Sequence, residues 1–248
     1  TRNLFPKSIP SFGITEPRWL PNFLTTTDSE AKTDQDDHSV YKIGGLVDPF
    51  LDVFLPIRQT LEKFIDFNNP NFSTLIALWI IGTYIFPIFE AYPYLYLGGT
   101  KNSGKSKVLD IIYRLAFNPV YTSNASPSSL FRTIENTQAT ILLDEGEMLT
   151  GREPNPDIRL LFNAGYKVTG VVTRTNTENF KVEQFRVYSP KAIAAINPLD
   201  PTLASRTIPV IMLRTANKVK GRSRINDRSA DWKGMRDKLY RFTLQHAL

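Results

Sequence analysis

The first residues that could do chemistry form a glycine-containing loop, Gly99-Thr-Lys-Asn-Ser-Gly104-Lys105-Ser106. The spacing G-x-x-x-x-G-K-S is the P-loop pattern, in which glycines let backbone N–H groups turn toward phosphate oxygens. An apolar strand-like run precedes the loop and a helical pattern follows it, so a helix N-terminus adds its positive end. The pattern predicts a nucleotide phosphate site formed by nine consecutive residues: Gly99, Thr100, Lys101, Asn102, Ser103, Gly104, Lys105, Ser106 and Lys107.

Two of these side chains have separate roles in the pattern. The Lys105 ammonium can reach the β and γ phosphates, and the Ser106 hydroxyl can bind Mg²⁺. The predicted cofactors are therefore ATP and Mg²⁺.

A second motif, Ala-Thr-Ile-Leu-Leu-Asp144-Glu145, lies about 40 residues after the loop. The Asp144 carboxylate would hold Mg²⁺, partly through water, and Glu145 would act as general base on the attacking water. An acidic strand end is common in any protein, so the motif gains its weight from its spacing after the P-loop. An Asp-Glu pair favours hydrolysis over binding alone.

Two later residues could complete a hydrolytic site. Asn197 follows the apolar run Lys-Ala-Ile-Ala-Ala-Ile, where its amide could orient the attacking water; the alternative is that it only starts the Asn-Pro turn. Arg206 precedes the last predicted strand and could reach the γ phosphate of a neighbouring subunit, since a guanidinium suits developing phosphate charge. Taken alone, Arg206 would be an ordinary surface residue.

The order P-loop, Asp-Glu, Asn, Ser-Arg resembles that of AAA+ ATPases. The tract Pro-Lys-Ala-Ile-Ala-Ala-Ile-Asn-Pro-Leu-Asp-Pro-Thr-Leu-Ala-Ser-Arg-Thr-Ile-Pro-Val is similar to AAA+ helicase domains of phages, plasmids and staphylococcal-type mobile elements. These domains are related to MCM helicases and often lie beside primase or primase–polymerase domains. The resemblance covers about residues 72–213. It provides no place for a sensor-2 arginine, for which the basic C-terminal segment offers several candidates.

The resemblance implies a ring-shaped helicase motor, most often a hexamer, that acts on single-stranded DNA in replication of a phage or mobile element. It also implies that residues 167–188 form the pre-sensor-1 hairpin, in which Lys167, Arg174 and Lys181 contact DNA phosphates without reading sequence. The alternative is a solvated hairpin with scattered charge. A primase or primase–polymerase domain in the same chain is a further implied partner.

The elements that must position these residues alternate between strands and helices. Strands are expected at 94–97, 120–123, 139–143, 191–196 and 208–213, with a hairpin of 167–175 and 180–188; helices are expected at 107–117, 127–136, 157–164 and 232–248. This order predicts an α/β fold with a mainly parallel sheet between two helical layers. The resemblance makes it a P-loop NTPase of the AAA+ type.

Four segments are expected along the chain. They are a polar lead-in or linker (1–45), a helical part packed on the core (46–93), the ATPase core (94–213) and a basic helical segment (214–248). The net charge of +6 is uneven, because residues 214–248 alone carry +7. That excess could bind nucleic acid or belong to a solvated helix face.

Composition excludes several kinds of site and location. The chain has 248 residues and no cysteine, and its two histidines are far apart, which excludes disulfides and cysteine- or histidine-rich metal sites. The uncharged run 72–89 could suggest a membrane span, but Gly82, Pro87 and the lack of a flanking basic cluster favour a buried helix. We expect no membrane partner, and a location in the host cytoplasm or nucleoid. The start without Met suggests a piece of a longer protein.

Three other functions stay open beside the helicase. The chain could be a helicase or clamp loader of another AAA+ type, an ATPase that remodels proteins, or a nucleotide-gated DNA-binding switch with little turnover. Glu145 argues against the switch, because it would supply a hydrolytic base.

Overall fold

The computed structural model describes residues 42–43, 46–123, 126–150, 155–175 and 181–246. The lead-in expected before residue 42 and the hairpin loop at 176–180 lie outside this part. The strands are β1 (Lys42–Ile43), β2 (Leu46–Val47), β3 (Tyr94–Gly98), β4 (Pro119–Thr122), β5 (Thr140–Leu143), β6 (Val171–Thr175), β7 (Val182–Arg186), β8 (Lys191–Ala195) and β9 (Thr207–Ile211). The helices are α1 (Pro49–Phe64), α2 (Asn71–Gly82), α3 (Lys105–Leu115), α4 (Pro127–Thr137), α5 (Glu147–Thr150), α6 (Pro156–Ala164), α7 (Pro201–Ala204), α8 (Lys218–Arg222) and α9 (Trp232–His246).

Five strands form one parallel sheet in the order β4-β5-β8-β3-β9. The three inner strands β5, β8 and β3 are buried along their whole length, as expected for strands covered on both faces. Strand β9 contains Pro209, which has no N–H to donate, and it lies at an edge where no further strand needs one. The predicted parallel sheet is therefore confirmed.

Alternate residues of each strand point into two separate cores. Leu95 and Leu97 pack with α1, α2, α3 and α9 on one face, whereas Tyr94 and Tyr96 pack with α4, α6 and the β6–β7 hairpin on the other. The fold is α/β with helices on both faces of the sheet, an arrangement compatible with a three-layer sandwich.

Four helices begin with the same local signal, a capping side chain followed by proline. Ser126 accepts a hydrogen bond from Ser129 N before Pro127, and the caps of the other three are Asp48, Asn155 and Asp200. The side-chain oxygen satisfies a free N–H of the first turn, while proline has none to satisfy. The predicted start of α4 at Pro127 is confirmed.

The apolar run 72–89 is not one continuous helix. Helix α2 ends at Gly82, and after a short turn the residues Phe86–Ile88 form a single 3-10 turn that contains Pro87. A Cβ atom on Gly82 would lie 2.3 Å from the Tyr92 hydroxyl, so glycine is needed for the chain to pack here. Within the described residues, the model has no helix with the length and apolar character needed to cross a membrane.

The basic C-terminal segment is part of the folded unit. Trp232, Met235 and Leu239 of α9 are buried in the same core as α1 and α3, and the Lys238 ammonium pairs with Asp52 of α1 at 2.7 Å. In the part of the segment before α9, Ile225 and Ala230 are partly buried and pack against the same core.

Candidate functional site

The loop between β3 and α3 has backbone angles that only a few residue types tolerate. Gly99 and Gly104 have φ of 147° and 97°, and Asn102 has φ of 64°. A Cβ atom on Gly99 would lie 2.3 Å from the carbonyl oxygen of Met212, so this position requires glycine. Helix α3 begins at Lys105 without a side-chain cap, which leaves its first N–H groups open to a ligand. The predicted helix therefore starts two residues earlier than expected, directly at the loop.

The Lys105 ammonium lies against its own loop. It donates to the carbonyl oxygens of Gly99 at 2.7 Å and of Thr100 at 2.9 Å. Ser103 in the same loop is buried, and its hydroxyl has no hydrogen-bond partner. A buried polar atom without a partner is costly unless a ligand supplies one, so these groups fit a phosphate ligand.

The acidic pair sits on a turn that both neighbouring strands hold. The backbone N–H of Asp144 donates to Thr122 O of β4 at 3.0 Å, and that of Gly146 donates to Ala194 O of β8 at 2.8 Å. Glu145 lies between them with φ of 57°, a left-handed conformation that is uncommon for residues other than glycine. Such strained residues cluster at functional sites.

The Asp144 carboxylate is held through both of its oxygens. Oδ2 accepts a hydrogen bond from the Tyr121 hydroxyl at 2.5 Å, and Oδ1 accepts one from Glu145 N at 3.1 Å. Burial, followed by the hydrogen bond to Asp144, raises the pKa of Tyr121, so the hydroxyl remains a donor. Nearby, burial raises the pKa of Asp110 on α3; Arg114 opposes this shift and Asp144 adds to it.

These groups meet in one cavity of about 1060 Å³ at the carboxyl edge of the sheet. Lys105 and Ser106 line one side, and Asp144 and Glu145 line another. Of the nine predicted loop residues, the seven from Lys101 to Lys107 line the cavity, and Gly99 and Thr100 do not. Its lining includes seven basic and four acidic side chains, an excess of positive charge that suits a polyphosphate.

Part of this positive charge comes from residues that belong to no sequence motif. The segment 214–222, which contains α8, contributes Arg214, Lys218, Lys220 and Arg222 to the cavity lining. Within the described chain, the side chains of Arg214, Lys218 and Arg222 have no ion pair or hydrogen bond. The signal that could have pointed to them was the charge of +7 on residues 214–248, but charge alone does not show where a segment returns.

Contacts from α1 and α3 hold this segment over the cavity. The Lys107 ammonium donates to the carbonyl oxygens of Lys220 at 2.7 Å and Gly221 at 3.4 Å, and to the Ser223 hydroxyl at 3.2 Å. Burial lowers the pKa of Lys107. Lys107 was predicted as a phosphate ligand, but its ammonium is used here to cap the end of α8.

Asp66, just after α1, provides the second attachment. Its Oδ2 accepts a hydrogen bond from the Thr215 hydroxyl at 2.5 Å, and its Oδ1 lies 3.7 Å from the Lys220 ammonium. The same ammonium donates to Ile65 O at 3.2 Å. Hydrogen bonds and an ion pair therefore hold the end of α1 and the 214–222 segment together where both line the cavity.

Asn197 lies at the carboxyl edge of the sheet, as the cavity does, but it does not line the cavity. Strand β8 runs between β3 and β5, which brings Ile196 into the lining, one residue before Asn197. The carbonyl oxygen of Asn197 accepts a hydrogen bond from the Tyr96 hydroxyl at 3.0 Å, and the residue is exposed. Its role in orienting water stays a prediction.

Arg206 lies at the opposite edge of the sheet. It immediately precedes β9, and its carbonyl oxygen accepts from Tyr94 N at the start of β3, whereas the loop at 99–104 follows the end of β3. Its guanidinium binds the backbone and side-chain oxygens of Asn163, at the end of α6. Arg206 therefore does not line the cavity of its own chain.

The predicted hairpin is present, with β6 and β7 antiparallel, but its three cations differ in environment. Lys167 is exposed but lies outside the hairpin, four residues before β6, where it forms an isolated antiparallel bridge with Ala91. Lys181 is exposed just before β7. Arg174 is ion-paired with Asp157 of α6, and its guanidinium lies 5.2 Å from the centre of the Phe131 ring. The structure therefore gives Arg174 a packing role that the sequence did not indicate.

No protein-family model matches this chain. No curated protein shows significant sequence similarity to it either.

Proposed function

We propose that this chain is an ATP-hydrolysing, Mg²⁺-dependent DNA helicase motor of the AAA+ type. The observation that carries the proposal is the convergence of four groups in one cavity. Lys105 and Ser106 come from the start of α3, and Asp144 and Glu145 come from the turn after β5. Residues about 40 positions apart in the sequence thus meet where the chemistry requires them.

The triphosphate would lie on the P-loop. Open N–H groups at the start of α3 and the Lys105 ammonium would bind its oxygens, with the Ser103 hydroxyl as a further donor. The Ser106 hydroxyl and the Asp144 carboxylate would hold Mg²⁺. These oxygen donors suit the ion, which usually keeps several waters and binds one or two protein groups beside the phosphates. When bound, Mg²⁺ neutralises charge on the transferring phosphate.

The Glu145 carboxylate would take the proton of the attacking water. Its position suits a general base, because both flanking N–H groups are fixed to neighbouring strands and its side chain lines the cavity. The hydrolytic role of Glu145 separates an ATPase from a switch that only binds nucleotide.

The placement of Arg206 supports the proposal of a ring. Since Arg206 lies at the sheet edge away from its own P-loop, it could act on phosphate only in a neighbouring subunit. A head-to-tail contact that brings it there would close into a ring, most often of six in the helicases that the sequence resembles.

The DNA substrate and the role in replication of a phage or mobile element are supported by the sequence resemblance and by charge. Exposed cations occur before both hairpin strands, and Arg224 and Arg228 lie on the +7 segment. One observation favours the alternative of a protein remodeller: the ion pair of Arg174 with Asp157 removes one of the three expected DNA contacts.

ATP turnover by the purified chain tests the proposal. Phosphate release should require Mg²⁺, should rise with single-stranded DNA, and should be lost in Lys105→Ala. Lys233→Ala, in which an exposed lysine of α9 is removed, is the matched control and should behave as the parent. Nucleotide binding without turnover would indicate the switch, turnover that ignores DNA would indicate a remodeller, and no nucleotide binding would contradict the whole proposal.

A further inference from the structure

Tyr121 makes a contact that the proposed mechanism does not use. Its hydroxyl donates to Asp144 Oδ2 at 2.5 Å, the oxygen of Asp144 that receives no backbone hydrogen bond. Tyr121 does not line the cavity itself, so it lies behind the carboxylate rather than beside a ligand.

The sheet register accounts for this contact. Strands β4 and β5 are parallel neighbours, and Tyr121 is paired with Leu142. Asp144, the first residue after β5, is two residues beyond Leu142, or roughly 7 Å at the usual rise per residue, which is about the reach of a tyrosine side chain. The edge strand β4 therefore places the Tyr121 hydroxyl beside Asp144, the first residue after the neighbouring strand β5.

The ring of Tyr121 is itself held in place. Tyr113 of α3 packs against it edge-on, with ring centres 6.1 Å apart. Tyr113 is on the same helix as Ser106, the other predicted Mg²⁺ ligand. The Tyr121 hydroxyl is thus positioned by the strand that carries it and by the helix that carries Ser106.

We propose that Tyr121 is a positioning residue that fixes the Asp144 carboxylate for Mg²⁺, a role that rests on the proposed function above. A hydrogen bond to Oδ2, together with the Glu145 N–H on Oδ1, stops rotation of the carboxylate plane. Mg²⁺ demands near-octahedral geometry, so its affinity is sensitive to the orientation of each ligand. Loss of such an outer partner typically costs about 10- to 100-fold in metal affinity.

The test measures metal binding rather than catalysis. Mn²⁺, which is visible by electron paramagnetic resonance, is titrated into the chain with ADP bound, for the parent and for Tyr121→Phe. The variant keeps the ring that packs on Tyr113 and loses only the hydroxyl. We expect its Mn²⁺ dissociation constant to rise by about 10-fold or more.

Two controls separate positioning from packing. Tyr113→Phe removes a neighbouring hydroxyl that does not touch Asp144, and it should bind Mn²⁺ as the parent does. ADP affinity measured in EDTA should be equal in all three proteins, which shows that the P-loop is intact.

If the Mn²⁺ dissociation constant of Tyr121→Phe equals or lies below that of the parent, the positioning role is overturned while the proposed function stays in place. Failure of the parent to bind ADP or Mn²⁺ at all would remove the proposed function and the role of Tyr121 with it.

Discussion

The backbone N–H of Gly146 donates to the carbonyl oxygen of Ala194 at 2.8 Å, which ties the turn after β5 to strand β8. A Cβ atom at position 146 would lie 2.8 Å from the Ile193 side chain, so a larger residue could not approach as closely. Glu145 precedes this contact with its left-handed φ of 57°. The direction of the Glu145 side chain is therefore set by packing between two strands, not by the turn sequence alone.

Glu145→Gln should bind ATP almost as the parent does and hydrolyse it at least about 100-fold more slowly, because an amide cannot accept the proton of the attacking water. Binding is measured by anisotropy of a fluorescent nucleotide and turnover by phosphate release. Glu135→Gln, on the exposed side of α4, is the control and should retain full turnover. Equal rates for Glu145→Gln and the parent would remove Glu145 as the base.

Arg206→Ala should bind ATP normally but hydrolyse it about 10³-fold more slowly, because an arginine finger acts mainly on transition-state charge. Asn163→Ala is the control for structure, since it loosens the contact of Arg206 with α6 and leaves the guanidinium in place. A comparable loss of turnover in Asn163→Ala would assign the effect of Arg206→Ala to packing.

The Arg206→Ala and Glu145→Gln proteins, both expected to hydrolyse ATP slowly, can be mixed to test whether each site is shared between two subunits. Mixed rings of Arg206→Ala and Glu145→Gln contain some junctions in which both residues are intact, so part of the activity should return. Co-assembly is verified by size-exclusion chromatography. If the proteins co-assemble and no activity returns, Arg206 does not act on a neighbouring subunit.

Substitutions of the hairpin cations should differ in whether they affect stability or the binding of single-stranded DNA. Arg174→Ala should lower the melting temperature by about 2–4 °C, since its exposed ion pair and its ring contact together contribute about 1 kcal/mol. Its effect on the salt dependence of single-stranded DNA binding should be small. Lys167→Ala with Lys181→Ala should flatten the salt dependence, because each lost phosphate contact releases about one counterion fewer.

A second pair of substitutions locates the DNA path if the hairpin does not provide it. Arg224→Ala with Arg228→Ala removes two cations of the +7 segment that do not line the cavity. We expect a smaller change in the salt slope than for the hairpin pair. A larger change in the salt slope than for the hairpin pair would place the DNA on the C-terminal segment.

Asp110→Asn should raise the melting temperature at pH 7, measured without nucleotide or metal. Partial desolvation raises the pKa of Asp110 above its ordinary value of 3.8, so its ionisation opposes folding. The stabilisation that Asp110 gives when protonated is fully present below pH 3.8. It is lost as pH rises through the higher pKa that Asp110 has in the folded protein. The advantage of Asp110→Asn should therefore shrink toward zero as pH falls to about 4. Glu135→Gln should show no such trend, and a constant difference at all pH values would contradict this explanation.

The local elements of the site could be predicted from sequence, because each depends on residues a few positions apart. The loop at 99–104, the apolar strand that ends before Asp144 and the start of α4 at Ser126-Pro127 agree with the sequence prediction. The hairpin was also predicted correctly, since its two alternating strands flank a short polar turn. In contrast, the apolar run 72–89 was misjudged in length, because composition does not show that Gly82 packs against Tyr92.

The sequence by itself determined which residues can do chemistry and the kind of element that carries each one, since capping, turn preference and periodicity act over a few residues. Only the tertiary structure decided how they are combined. It inserted β8 between β3 and β5, returned segment 214–222 to the cavity through Lys107 and Asp66, and paired Arg174 with Asp157. Lys107 and Lys220 are 113 positions apart, so no local pattern around either lysine encodes their contact.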